Sequence, residues 1–318
     1  MSAPFIAIVN PKSGSGRAAK RWPALEARLR AALAERGELE VVFTSARRHA
    51  TLLAREAIER GTSTVIAAGG DGTLSEVVAG VLESGGASAT QLGLIPLGSG
   101  GDFPRSTGLV AGADAAVDVV ANGWSRSIDA GRIRNIDAEG KPAASFFVNE
   151  ASVGISAEVA AAVDRASKFF GGTAAFAYGA VRAIAAFQPS PLRVRVDGEV
   201  VFEGGSTLVA VSNGKYFGGA MRIAPAAELD DSAFEVVVGR RFTKPRLLFR
   251  LLPSLYSGSH IGYPGVSVHR GRRVSLEPLE GNMRTVPVEA DGELLGQAPV
   301  HIEVLPGALN MLAPRPAP

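Results

Sequence analysis

Two aspartates in this chain lie inside glycine-rich turns. Asp71 belongs to "AAGGDGTLSEVV", residues 67–78, and Asp102 to "PLGSGGDF", residues 96–103. A third such turn, "NPKSGSG" at residues 10–16, carries Asn10, Lys12 and Ser13 but no carboxylate. A glycine turn that opens a helix offers free backbone N–H groups and the positive end of the helix dipole, which together hold phosphate. Gly69 and Gly70 also let a ligand approach the backbone closely. Phosphate repels a carboxylate in that position unless a divalent cation lies between them, or unless the carboxylate handles a proton or metal in a reaction. The residue types therefore predict phosphate chemistry, with Lys12 as a neutralising charge and Ser99 as a further donor. Reading Asp71 as a helix-dipole partner alone leaves the surrounding glycines unexplained.

The elements that would position these turns follow from periodicity. Phe5–Val9 is an apolar run, and Trp22, Leu25, Leu29, Ala32 and Leu33 then recur at helical spacing. Leu39–Phe43 reads as a strand, residues 50–60 as a helix with Leu52, Leu53 and Ala57 on its inner face, and Thr64–Ala68 as a third strand. Residues 73–83 read as a helix with Leu74, Val77, Val78, Val81 and Leu82 inward, and with Thr73 and Glu76 as a capping box. Leu92–Pro96 is a fourth strand. Strands alternating with helices predict a parallel sheet covered on both faces, and such sheets bind ligands where their strands end.

Beyond Gly123 the texture changes to short alternating segments. "RVRVDGEVVF" is a hairpin signal with Asp197 and Gly198 in the turn. Two helical insertions, 156–187 and 244–256, interrupt this β-rich region. The ending "HIEVLPGALNMLAP" is apolar enough to pack. The division expected is an α/β domain over 1–123, rejoined by 304–318, and a β-rich, sandwich-like domain over 124–303.

Composition narrows the classes. The 318 residues suffice for two domains, and a net charge of +2 gives no argument for nucleic acid. The absence of cysteine excludes disulfides, thiolate catalysis and Cys-ligated metal, and the four His residues are scattered. A hard cation on oxygen ligands stays open. The longest apolar stretch, 174–187, is too short to span a bilayer and contains Arg182, and the N-terminus lacks a signal-length run, so a cytoplasmic protein without a transmembrane segment is expected. "GSGRAA" fits a dinucleotide fingerprint in outline, but the second strand ends "VVFTSA", with Thr44 and Ser45 where an acid is required. No G-K-[ST] follows the glycines, so the chain has no Walker A motif either. Arg240, Arg241, Lys244, Arg246 and Arg250 surround Phe242, Leu247, Leu248, Phe249, Leu251 and Leu252, a mixture suited to an anionic lipid surface or to a packed helix with a solvated basic face.

"NPKSG", "GGDGTLSEVV", "PLGSGGDF" and "EADGELL" together resemble the diacylglycerol kinase catalytic-domain family, bacterial lipid kinases and the sphingosine and ceramide kinases included. "GSHIGYPGVSV" and the closing "HIEVLPGALNMLAP" extend the resemblance nearly end to end. GGDGT alone is less specific, since NAD kinases and phosphofructokinases share a similar element. The resemblance implies an NAD kinase/phosphofructokinase-like first domain and an ATP-dependent lipid kinase that meets its substrate at a membrane surface. Its implied nucleotide contacts are Asn10, Pro11, Lys12, Ser13, Gly14, Thr44, Gly70, Asp71, Gly72, Thr73, Leu74, Ser75, Glu76 and Ser99. It implies Mg²⁺ with the nucleotide, near Asp71, and Glu293 of the late D-G-E as the base that takes the lipid hydroxyl proton. Asp102 is implied to orient that hydroxyl or a second cation. A structural magnesium site is implied at Asp231, with the carbonyls of Glu228 and Ala233, although Ser232 replaces the usual Gly. Gly101 likewise stands where the family has Asn. A soluble-metabolite kinase of the NAD kinase type and a non-catalytic nucleotide- or lipid-binding protein are the alternatives, and a homodimer is an open expectation.

Overall fold

Five consecutive apolar residues with β-branched enrichment, Phe5–Val9, form a strand buried on both faces (β1). Around it the computed structural model describes residues 4–109, 112–137, 139–160, 183–281 and 284–315. Most of the 156–187 insertion lies outside the described residues; its flanks, 155–160 and 183–186, are helical.

The chain folds as two units: Met1–Ala130 with Pro306–Pro318, and Gly131–Leu305. In the first, β1 is followed by α1 (Arg17–Leu33), β2 (Leu39–Phe43), α2 (His49–Glu59), β3 (Thr64–Gly69), α3 (Asp71–Glu83), β4 (Gln91–Pro96), α4 (Asp102–Ser106) and α5 (Gly112–Asn122). The sheet order is β2-β1-β3-β4, every pair parallel. The end of β14 (Glu293–Ala313) adds a parallel strand beside β4, pairing Asn310 with Gln91 and Met311 with Leu92.

Helix α1 buries Trp22, Leu25, Leu29 and Leu33 as its spacing predicts, but leaves Ala32 exposed. In α2 the buried face is Ala50, Thr51, Ala54 and Ala57, and Leu52 lies outside, 45% exposed. This departs from the leucine face expected, and helix spacing is the reason. A Cβ on Gly80 of α3 would stand 2.3 Å from the Thr51 carbonyl and 2.9 Å from Ala54 Cβ. The two helices approach too closely for a leucine between them.

The second unit is mainly antiparallel. β5 (Trp124–Ile136) enters it and its second half pairs with β6 (Pro142–Phe147). β7 (Glu150–Gly154), β8 (Ser190–Val196), β9 (Glu199–Ser212), β10 (Phe234–Arg240), β11 (Val266–Gly271), β12 (Arg273–Pro278) and β13 (Pro287–Ala290) follow. The main sheet runs β11-β10-β9-β7-β13-β14, while β8 pairs with β9 and β12. Alternate residues point into one core containing Phe147, Val194, Phe234, Leu276, Val288 and Ile302, with the Phe147 and Phe234 rings stacked at 5.6 Å. A helical stretch at 244–257 (α6) holds a π-helical turn, Leu247–Leu251. No helix among the described residues is long and apolar enough to cross a membrane.

Candidate functional site: glycine turns and a buried acidic hairpin

The three glycine turns follow β1, β3 and β4, so they emerge at the same end of the parallel sheet of the first unit. Hydrogen bonds lace them together. Asn10 donates its N–H to the Ala68 carbonyl at 2.9 Å and its side-chain amide to Thr73 Oγ1 at 3.1 Å, while its Oδ1 accepts the Lys12 N–H at 3.0 Å. Gly70 donates to Ser13 Oγ at 3.2 Å. Thr44 donates its N–H to Val9 at 2.8 Å, which fixes the end of β2 beside the first turn. The second and third turns meet glycine to glycine: a Cβ on Gly98 would lie 2.5 Å from Gly70 Cα. Gly14, at φ +59°, leaves no space either, since its Cβ would lie 2.6 Å from the Leu97 carbonyl.

Asp71 joins the second and third turns directly. Its carboxylate accepts the N–H of Asp102 at 3.2 Å and of Phe103 at 3.3 Å, capping α4. Burial pushes its carboxyl above the ordinary 3.8, and the nearby Asp102 charge adds to the rise, against the N–H bonds that lower it. Asp102 is itself buried, 7% exposed. Two adjacent carboxylates at a glycine-lined edge, one half-buried and one buried, suit a divalent cation carried by phosphates, since magnesium takes one or two carboxylates and fills its other positions with phosphate and water. Among the described residues no group of three or more His, Cys, Asp or Glu side chains is arranged to hold a metal by itself.

The other predicted contacts divide by exposure. Lys12, Gly72 and Ser99 are exposed; Pro11, Ser13, Thr44, Gly70 and Ser75 are half-buried; Gly14, Thr73 and Leu74 are buried, Leu74 as part of the core. The expected capping box of Thr73 and Glu76 does not form. Helix α3 starts at Asp71 with Gly70 as its N-cap, so Thr73 lies inside the helix. Glu76 instead accepts the N–H groups of Arg48 at 2.9 Å and Ala50 at 3.1 Å, capping the neighbouring α2. Gly101, in place of Asn, has φ +69°, a left-handed conformation that Gly and Asn are the residues best able to adopt. Arg105 was not singled out from the sequence. Its guanidinium donates to the carbonyls of Gly100 at 2.6 Å and Gly101 at 2.8 Å and lies 3.7 Å from Asp102.

In the second unit both D-G-E segments open hairpins. Val196 pairs with Glu199 across Asp197 and Gly198, and Ala290 pairs with Glu293 across Asp291 and Gly292. Asp197 and Asp291 have φ +51° and +47°, and the glycines +93° and +83°, as two-residue turns between twisted strands require. Their surroundings differ. Glu199 is exposed, and Asp197 accepts the N–H groups of Arg272 and Arg273 at 3.0 and 2.9 Å. Glu293 is half-buried at the start of β14. Asp291 accepts three N–H bonds, from Val148, Asn149 and Glu150, each at 3.0 Å. Its carboxyl is pushed up to about 6 by burial, with the Glu289 charge adding to it and the three N–H bonds opposing. Glu150 and Glu289, each 3% exposed, lie beside it. Neither was singled out from the sequence.

The segment implied as a structural magnesium site is engaged otherwise. Asp231 Oδ2 lies 2.7 Å from the Arg270 guanidinium, and Oδ1 accepts the Ala233 N–H at 3.1 Å. Ser232 takes the left-handed conformation, φ +60°, of the glycine it replaces, and Glu228 is exposed. The Asp231 carboxylate is thus held by Arg270 and by the backbone of its own turn.

On α6, Leu247 and Leu251 pack with Phe242, while Leu248, Phe249 and Tyr256 face outward at 38%, 74% and 56% exposure. Arg246 stacks over the rings of Phe242 and Tyr263. Arg240, Arg241, Lys244 and Arg250 are exposed.

Three glycine turns at one edge of the first unit and a β-rich second unit match the arrangement expected of a diacylglycerol kinase-like protein, and comparison with known proteins agrees. Residues 4–133 match the diacylglycerol kinase catalytic domain, and residues 149–313 match the YegS C-terminal NAD kinase beta sandwich-like domain. The chain is 31% identical over 314 residues to a diacylglycerol kinase of Mycobacterium tuberculosis, covering 97% of this chain and 94% of that one. It is 27% identical over 308 residues to a diacylglycerol kinase of Staphylococcus carnosus, again covering 97% and 94%. A solved structure, a diacylglycerol kinase from Bacillus anthracis, shares the fold with a TM-score of 0.70 at 21% identity, covering 98% of each chain. The chain belongs to the diacylglycerol kinase-like family and is a lipid kinase.

Proposed function

We propose that the protein transfers the γ-phosphoryl group of ATP to the hydroxyl of diacylglycerol or a closely related lipid. The observation that carries this reading is Asp71, a half-buried carboxylate held between two glycine turns next to the buried Asp102. The first unit supplies the donor side. Backbone N–H groups of the turns, with Asn10, Ser13, Thr44 and Ser99, cradle the nucleotide, and Lys12 offsets phosphate charge. Magnesium, when bound with the nucleotide, offsets charge on the transferred group, and Asp71 and Asp102 are the residues that would hold it. The second unit supplies the acceptor side. Glu293 accepts the hydroxyl proton as the oxygen attacks, help of roughly 10²–10⁴-fold. The exposed Leu248, Phe249 and Tyr256, with the arginines around them, bring the enzyme to an anionic lipid surface.

Purified protein is to be assayed with labelled ATP and Mg²⁺ against mixed micelles of diacylglycerol, other lipid alcohols, and NAD. Labelling of diacylglycerol, abolished in a folded Asp71→Asn variant, is expected. Labelling of NAD without detergent would replace the reading with a soluble-metabolite kinase, and near-normal turnover of Asp71→Asn would remove the role of Asp71.

A further inference from the structure

The hairpin that carries Glu293 is braced by an unusual set of groups. Strands β7 and β13 pair with Glu289 opposite Ser152, and Glu150 lies two residues before Ser152, on the same face of β7. Glu289 accepts the Ser152 hydroxyl through Oε1 and the Gly292 N–H through Oε2 at 3.0 Å. Ser152 Oγ lies 2.7 Å from Ser156 Oγ. The turn is tied to the other end of β7 as well: Asp291 donates its N–H to the Glu150 carbonyl and accepts the Glu150 N–H, both at 3.0 Å. The Glu150 carboxyl is within hydrogen-bond reach of Glu289, and its Oε2 is buried without a donor.

Two buried carboxyls in contact, sharing one Ser152 hydroxyl and with no cation beside them among the described residues, resist being ionised together. A proton on Glu150 removes the conflict, because the acid then donates to the Glu289 carboxylate. Among the described residues, the charged groups that act on Glu150 from other elements are Glu289 on β13 and Asp291 in the turn, both acidic. Burial, and then Glu289, hold its carboxyl well above the ordinary 4.5.

We propose that Glu150 is a positioning residue of this kinase: as a neutral acid it donates to Glu289, which holds the Gly292 N–H and so clamps the Asp291–Gly292 turn that presents Glu293. The inference rests on Glu293 as the base, but the clamp has a readout of its own. Above the pH at which the pair loses its shared proton, two anions repel across β7 and β13 and the turn loosens. Glu150→Gln keeps a neutral donor of the same shape, so it retains the clamp and removes this sensitivity to rising pH. Glu150→Val removes the donor.

The test is amide hydrogen exchange at Gly292, corrected for intrinsic base catalysis, alongside kcat from about pH 6 to pH 9. In the wild type, protection of Gly292 and kcat should fall together as pH rises, and in Glu150→Gln both should stay level. Glu150→Val should lose protection roughly tenfold at neutral pH, with kcat falling more than KM changes. Wild-type protection in Glu150→Val, or the same fall with rising pH in Glu150→Gln as in the wild type, overturns the proposal. If Glu150→Val does not fold, the comparison of wild type with Glu150→Gln decides alone. If Glu293→Gln proves fully active, the base assignment fails, while the exchange data still report whether the clamp exists.

Discussion

Replacing Gly98 with alanine tests whether the second and third turns are set against each other by their lack of side chains. The new Cβ would stand 2.5 Å from Gly70 Cα and 3.3 Å from Gly70 N. Ordinary carbon–carbon contact begins near 3.5 Å, so the backbones must part by about 1 Å. Three links resist the parting: the N–H groups of Leu97 and Gly98 both donate to the Gly69 carbonyl, at 2.7 and 3.1 Å, and Asp71 grips the start of α4. Overpacking of this kind costs about 1–3 kcal/mol. A displacement of about 1 Å at a reacting centre costs on the order of 10²-fold in rate. Gly98→Ala should therefore lower the melting temperature and reduce kcat/KM for lipid phosphorylation by roughly that factor. Gly72→Ala is the companion variant. Nothing lies within 4 Å of its would-be Cβ, and it sits within α3, so stability should hold. If ATP approaches the backbone at this turn, KM for ATP should nevertheless rise. Gly98→Ala with wild-type kcat/KM and melting temperature would refute the argument that these turns are locked, and Gly72→Ala with unchanged KM would show that the nucleotide does not press on Gly72.

Glu293→Gln should reduce kcat by roughly 10²–10⁴-fold with ATP affinity retained, while the exposed Glu199→Gln should be neutral; both are measured in one lipid-kinase assay, and the opposite pattern exchanges the roles of the two hairpins. Stability should depend on Asp291: with its carboxyl raised from 3.8 to about 6, the folded state binds the proton more tightly than the unfolded chain. That contribution is complete below about pH 4 and lost as pH rises through about 6, so denaturant midpoints should show a fall over this window that is shallower in Asp291→Asn. Binding to anionic vesicles should weaken with salt and with Arg240→Glu plus Arg246→Glu, and unchanged co-sedimentation would remove the membrane role of α6.

What the sequence revealed and what it hid divide along physical lines. Local patterns were legible: the strands β1 to β4, the inner face of α1 apart from Ala32, and the Asp197–Gly198 turn follow from periodicity and from the φ values glycine allows. The partners of side chains far apart in sequence were not. Glu76 matches a capping box three residues after Thr73, yet it caps α2 from across the helix pair. Leu52 looked like a core residue because hydrophobicity was the criterion, whereas the close approach of α2 to Gly80 selects for small size. Glu150 and Glu289 look like ordinary strand charges in a list of residues. Their burial comes from the pairing of β7 with β9 and β13, segments separated by tens of residues. Arg105 was overlooked because its partners are carbonyl groups, which leave no mark on residue type.

The parallel pairing of β14 with β4 bears on how the chain is made. The first unit lacks its last strand until residues from Pro306 onward leave the ribosome. At ordinary rates of synthesis, the intervening second unit takes on the order of ten seconds or more to emerge. For that interval β4, with Leu92 and Leu94 in its apolar run, has an open edge able to pair with another nascent chain. Chains stopped short of Pro306 should therefore aggregate instead of yielding a stable first unit, and chaperone demand during expression should persist until the residues that pair with β4, Asn310 and Met311, have emerged.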